Sequence, residues 1–362
     1  MEQQVYNFYA GPAAIPDEVL RQAQDELLNF DGTGMSVLEI SHRAAAFDRV
    51  VDEAIAAIKS LLDLGDDYEV LFLQGGASLQ FSMVPMNFLK EGSVGDYIVT
   101  GSFASKAQKE AKKLGQTFTC FDGSAENFSR IPRQNELQFS EKPAYVHMTT
   151  NNTIYGTEFH SLPDCGDAPL VADMSSDIMS RPLDARRFAL IYAGAQKNLG
   201  PSGVTVVIVR KDFLATAQDV PATMLQYETY AKNKSLYNTP PCFSIYLLDL
   251  VCRRLLDLGG LEAMGKYNAA KAALVYDAID RSGGFYRGHA AEDSRSLMNV
   301  TFRLPDEELE KRFAADATAE GLIGLKGHRS VGGLRASIYN AMEMSGAQAL
   351  AQFMAEFARK NG

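Results

Sequence analysis

The chain has 362 residues, a length that allows about two domains and a large buried core without disulfide or metal staples. Its apolar fraction of 46% and charged fraction of 22% are those of an ordinary globular protein. The formal net charge of −10 argues against nucleic acid as a partner, because phosphate backbones demand a basic face.

The N-terminus, Met1-Glu-Gln-Gln-Val-Tyr-Asn-Phe8, has neither a basic start nor an apolar run, so no signal peptide is expected. No stretch approaches the ~18 consecutive apolar residues of a membrane span, and a cytoplasmic protein without membrane contact is expected. Cysteines at 120, 165, 242 and 252 show no Cys-x-x-Cys spacing and read as thiols of a reducing compartment rather than a disulfide or zinc framework.

The first chemically pointed segment is Ser41-His42-Arg43, a His–Arg pair in a polar loop. An apolar run at 69–73 then predicts a buried strand, and a helix is expected over 78–89. Between them, Gln74-Gly75-Gly76-Ala77-Ser78 has the form of an anion cradle: glycines let backbone approach, and a helix start offers free N–H groups. A plain strand-to-helix turn is its rival; neither a Walker loop nor a dinucleotide fingerprint fits. The pattern repeats with a strand at 97–100 and a helix at 103–114, opened by Phe103, an aromatic suited to stacking on a flat ring or simply to a core.

Further strands are expected at 117–121, 144–149, 170–173, 189–193 and 204–210. Alternation of short apolar runs with amphipathic segments predicts an α/β layer with a mostly parallel sheet, whose ligands sit beyond the C-terminal strand ends. Two residues stand at such ends. Asp173 closes Leu170-Val-Ala-Asp, where a carboxylate could hold the ring nitrogen of pyridoxal phosphate protonated or merely cap a turn. Lys197 lies in Ala193-Gly-Ala-Gln-Lys-Asn-Leu-Gly-Pro; an amine shielded there loses its proton more readily and can condense with an aldehyde. Together they suit the cofactor better than coincidence does.

After about residue 260 the pattern becomes α+β, with a helix at 261–282, a strand at 297–304, a helix at 306–320, a strand at 334–339 and a closing helix at 347–359. Gly327-His328-Arg329-Ser330 supplies a second His–Arg pair, and Arg335 follows Val331-Gly-Gly-Leu. Arg forks match phosphate and carboxylate bidentately, so the two pairs read as anion pockets.

These residues carry a resemblance. From Asn7-Phe-Tyr-Ala-Gly-Pro-Ala through Asn238-Thr-Pro-Pro to Gly327-His-Arg-Ser-Val-Gly-Gly, the chain resembles the phosphoserine aminotransferase family, class V members of the fold-type I pyridoxal-phosphate enzymes. The resemblance implies a large domain (16–260) with a mostly parallel seven-stranded sheet, a smaller α+β domain (261–362), and an N-terminal segment (1–15) packed with the latter. It implies that Lys197 holds pyridoxal 5′-phosphate, that Asp173 pairs with the pyridine nitrogen, and that Phe103 stacks where many relatives carry tryptophan. Gly76, Ala77, Ser78, Thr153 and Gln196 would contact the cofactor; Asn238 and Thr239 would reach the cofactor phosphate of the neighbouring subunit in a homodimer. His42, Arg43, His328 and Arg329 would bind a substrate phosphate or distal carboxylate and Arg335 the α-carboxylate, with no metal. The implied reaction exchanges the amino group of glutamate with 3-phosphohydroxypyruvate to give O-phospho-L-serine and 2-oxoglutarate. Whether 4-phosphohydroxythreonine is also handled stays open at this point. Its rivals are another class V enzyme, such as an alanine–glyoxylate aminotransferase, and a noncatalytic phosphate-binding protein.

Overall fold

The computed structural model describes residues 4–362, so the first three positions of the expected N-terminal segment 1–15 lie outside the described residues. A seven-stranded sheet forms the centre. Its strands in chain order are β1 (Tyr68–Leu73), β2 (Val94–Val99), β3 (Gln116–Asp122), β4 (Tyr145–Thr149), β5 (Leu170–Asp173), β6 (Phe188–Gly194) and β7 (Thr205–Arg210). The spatial order is β1-β7-β6-β5-β4-β2-β3. All pairings are parallel except those of β7, which runs antiparallel to both β1 and β6. The connection 195–204 is too short for the crossover helix a parallel return needs, so the chain can only double back.

The strands other than the half-exposed edge strand β3 are near-continuous apolar runs because both faces are covered. Side chains alternate between the two faces. Val70, Phe72, Ile191, Ala193, Val206 and Ile208 join one hydrophobic cluster with α1 (Asp17–Asp25), α2 (Ala45–Leu61) and a helix at Cys242–Asp257. Leu71, Leu73, Leu190, Tyr192, Val207 and Val209 join another with α3 (Gly76–Phe88) and α4 (Ser102–Ala111). Each of the seven expected strands is present. The second begins earlier than its apolar run suggests, at Val94, since the Asp96 carboxylate accepts hydrogen bonds from Ser140 N (2.8 Å) and Oγ (2.7 Å) and so can be buried. Helix α4 stops sooner than expected, at Ala111, and the closing helix is longer, at Met344–Asn361.

A third cluster gathers around a small antiparallel sheet of Arg287–Gly288, Asn299–Arg303 and Leu334–Ser337. The helices Gly260–Asp280, Glu307–Ala319 and Met344–Asn361 cover it. Phe8 is buried in this cluster, and Tyr6–Asn7 pairs in parallel with Leu322–Ile323. Within Gly260–Asp280, Leu261 and Met264 pack into the large cluster while Ala272, Val275 and Ile279 pack into the smaller one. We propose two domains, 16–260 and 261–362, with this helix crossing the junction.

Six parallel strands put their C-terminal ends at one edge, and that edge carries Gly76, Phe103, Thr153, Asp173 and Lys197 on the segments that leave it. Phe313, fully buried, meets Tyr286, Phe302, Phe353 and Phe357 in the smaller cluster. Phe313→Ala should remove about 3–5 kcal/mol of stability, read as a lower denaturant midpoint; a change below ~1 kcal/mol would contradict this packing.

Candidate active site

The Lys197 amine is the centre of the site. It donates to Thr153 Oγ1 at 2.6 Å and lies 4.8 Å from the centre of the Phe103 ring. Desolvation is the largest influence on it and pushes its pKa down to about 8; Asp173 and Asp177 pull it upward, while Arg335 pushes it down further. Gly11 of the N-terminal segment lies against the stem, since a Cβ there would sit 3.5 Å from Lys197 Cγ.

Asp173 ends β5 and is buried. Ser175 donates to its Oδ1 twice, from N at 2.9 Å and Oγ at 2.7 Å, and no hydrogen-bond donor among the described residues reaches Oδ2. Burial raises its pKa, opposed by the Lys197 charge and the Ser175 bonds. A carboxylate with one oxygen tied and the other open is the form that a protonated ring nitrogen requires.

Thr153 is placed by two asparagines. Asn151 donates to Ser176 Oγ (2.9 Å) and Asn299 Oδ1 (2.8 Å), and Asn152 donates to Thr100 Oγ1 and Thr157 Oγ1, both at 3.1 Å. All are buried, which fixes the tight hairpin of Asn151–Asn152 with Thr157–Glu158. Gly101 is required beside it, because a Cβ there would lie 2.3 Å from Asn152 Oδ1.

At the start of α3, Gly75 (φ 88°) and Gly76 (φ 63°) occupy the left-handed region, and open space surrounds the position of a Gly76 Cβ. No side chain caps this helix, so the amides of Gly76, Ala77 and Ser78 point outward without an acceptor among the described residues. Ser78 is exposed and Ala77 partly so. Free amides at a helix start are groups that could hold an anion.

Arg335 approaches from the smaller sheet, with Nη1 3.4 Å from Thr153 O and a buried Nε that lacks a partner. Its loop neighbour His328 accepts at Nδ1 from Ser330 N (3.2 Å), and the Ser330 hydroxyl lies 2.7 Å away. Neutral His328 therefore carries its proton on Nε2. Burial and the charges of Arg335, Arg329 and Lys106 lower its pKa. Arg329 is exposed, and neither it nor Arg335 forms an ion pair among the described residues.

One chain thus brings together Lys197, Thr153, Phe103, Asp173 and Arg335, with His328 alongside. Gln196 flanks the lysine, and its carbonyl accepts from Ala13 N at 2.9 Å. No contact links His42, Arg43, Asn238 or Thr239 to this cluster among the described residues; Arg43 and Thr239 are exposed, and Asn238 Oδ1 is buried without a partner. What sequence reading missed is the support: Asn151 and Asn152, and Asn198, whose Nδ2 donates to Ile178 O (2.6 Å) and whose Oδ1 accepts from Asn340 N (2.9 Å). Asn340 in turn donates to Met179 O and accepts from Asn268, each at 2.8 Å. The doubled asparagine before Thr153 was the one visible signal.

The residues fit a flat, phosphorylated, nitrogen-containing aldehyde. The open Asp173 oxygen would meet the ring nitrogen, Phe103 the ring face, the α3 amides the phosphate and Lys197 the aldehyde. In the cofactor-free protein, acylation of Lys197 should show a midpoint near pH 8, well below that of exposed lysines, in a mass-spectrometric labelling series. Asp173→Asn should move that midpoint lower, because the carboxylate raises it; an upward move would contradict the geometry. A depressed lysine also weakens the fold: this penalty is full below about pH 8 and fades as pH climbs to the ordinary lysine value near 10.5.

Comparison with known proteins identifies the family. The family model for class-V aminotransferases matches residues 5–350. A phosphoserine aminotransferase of Herpetosiphon aurantiacus is 62% identical over 359 residues, covering 99% of each chain. The solved phosphoserine aminotransferase of Bacillus circulans subsp. alkalophilus superimposes with a TM-score of 0.97 at 55% identity, covering 99% of both chains. The PLP-bound phosphoserine aminotransferase of Trichomonas vaginalis gives 0.92 at 39% identity, covering 97% of this chain and 99% of that one. With a desolvated lysine, an open carboxylate and an uncapped helix start on a sheet shared with these proteins, the chain belongs to the class-V aminotransferases, among the phosphoserine aminotransferases.

Proposed function

We propose that this protein exchanges the amino group of glutamate with 3-phosphohydroxypyruvate, giving O-phospho-L-serine and 2-oxoglutarate, with pyridoxal 5′-phosphate as cofactor. The observation that carries this reading is the desolvated Lys197 amine, held by Thr153 and Phe103 and facing the charge of Asp173. When bound, the cofactor supplies an electrophilic aldehyde and a cationic ring that draws electrons away from the substrate Cα.

The protein's own groups do the rest. Lys197 Nζ, which loses its charge from about pH 8 upward rather than near the ordinary lysine value, takes the proton from Cα as general base. Asp173 would hold a proton on the ring nitrogen, with Ser175 fixing its other carboxylate oxygen. Phe103 would cover one ring face and exclude water. The amides of Gly76, Ala77 and Ser78 would hold the phosphate, with Gln196 and Thr153 alongside. Arg335 binds the substrate α-carboxylate, and its unpartnered Nε is free for that ligand. His328 and Arg329 bind the distal phosphate or carboxylate.

We propose a homodimer as the working unit. Asn238 and Thr239 would reach the cofactor phosphate of the neighbouring chain, and His42 and Arg43 would complete the distal anion pocket there. The unpartnered Asn238 oxygen and the separation of all four from their own chain's cluster support this. No helix among the described residues is long and apolar enough to cross a membrane. We infer a cytoplasmic location from the thiol pattern.

The test is a transamination assay with glutamate against 3-phosphohydroxypyruvate, pyruvate and glyoxylate. The phosphorylated acid should be preferred, and Lys197→Ala should lower turnover at least about a thousandfold. A preference for glyoxylate would favour the alanine–glyoxylate reading instead. Arg329→Ala should raise KM for the phosphorylated acid far more than for glyoxylate, and equal losses would remove the phosphate role.

A further inference from the structure

Lys106 has entered so far only as a charge acting on His328. It lies on α4 one turn after Phe103, and its Nζ is 5.3 Å from the centre of the ring that Lys197 approaches at 4.8 Å. Both amines therefore gather at the same phenyl ring. Lys106 is exposed, and no carboxylate among the described residues pairs with it. Its charge is felt at His328, which belongs to the smaller domain's loop rather than to α4. Lys106, Arg329 and Arg335 thus place three cations near enough to act on one imidazole, none of them in an ion pair among the described residues, on a chain of net charge −10.

Such repulsion persists where an anion offsets it. The distal oxygens of phosphohydroxypyruvate and of glutamate both end about four bonds from Cα, at roughly 1.5 Å per bond. Reach therefore cannot separate the two substrates; charge can. A phosphate monoester carries about −1.5 to −2 at neutral pH, against −1 for a carboxylate.

We propose that Lys106 is a specificity-determining residue that binds the distal phosphate of the oxo-acid substrate, adding a cation that favours a dianion over the glutamate carboxylate. This deepens the transamination proposed above and rests on it. Being exposed and unpaired on a helix surface, Lys106 can be replaced without loss of core packing.

Lys106→Met keeps the stem and removes the charge. It should raise KM for 3-phosphohydroxypyruvate about tenfold, leave kcat within about twofold, and change KM for glutamate much less; Lys106→Arg should restore the phosphate preference. Histidine resonances give a readout independent of turnover, because the chain has five histidines. In Lys106→Met the His328 titration should move to higher pH, and inorganic phosphate should perturb it only at several-fold higher concentration than in the unmodified protein. Unchanged KM for the phosphorylated acid, or an equal rise for both substrates, overturns the proposal, as does an unaltered phosphate response of His328. Phosphate binding that depends on Lys106 in a protein without transaminase turnover would sink the reaction and leave this anion site standing.

Discussion

The structure depends on keeping one amine out of water while holding a carboxylate close enough to feel it. Burial drives Lys197 toward its neutral form, and Asp173 and Asp177 resist that drive. The balance matters because the two groups serve different ends. Too strong a pull from the acid would return the lysine to its inert ammonium form, and too little would leave no counter-charge for a cationic ring. Ser175 adjusts the balance by occupying only one oxygen of Asp173.

The sheet makes this arrangement possible. Two parallel strands, β5 and β6, are hydrogen-bonded neighbours, so the residues that leave their ends emerge side by side. Asp173 is the last residue of its strand and Lys197 follows its own by a short turn. The antiparallel return of β7 keeps that turn short. A longer crossover would have moved the lysine away from the edge and loosened the enclosure around it.

Much of this was legible in the sequence. Apart from the half-exposed edge strand β3, the central strands are short, rich in β-branched and aromatic residues, and buried on both faces, so local composition and tertiary demand agree. Lys197, Asp173 and Gly76 could be read because each sits where an apolar run stops. The early start of β2 could not, since Gly95 and Asp96 are poor strand formers and only the distant Ser140 makes them tolerable. Asn198, Asn268 and Asn340 were equally silent, being ordinary polar residues whose partners are brought in from remote segments. His42, Arg43, Asn238 and Thr239 stand out by residue type, yet among the described residues no hydrogen bond or ion pair joins them to the lysine cluster.

The asparagine chain has a mechanical meaning. Asn198 is next to the reactive lysine, and Asn340 lies just beyond the strand that bears Arg335; a direct hydrogen bond of 2.9 Å joins them, and Asn268 braces the joint from a helix. The proposed base and the proposed carboxylate-binding fork are consequently tied as two jaws of one caliper through these asparagines. A substitution at Asn340 would then alter the spacing between Lys197 and Arg335 without touching either residue.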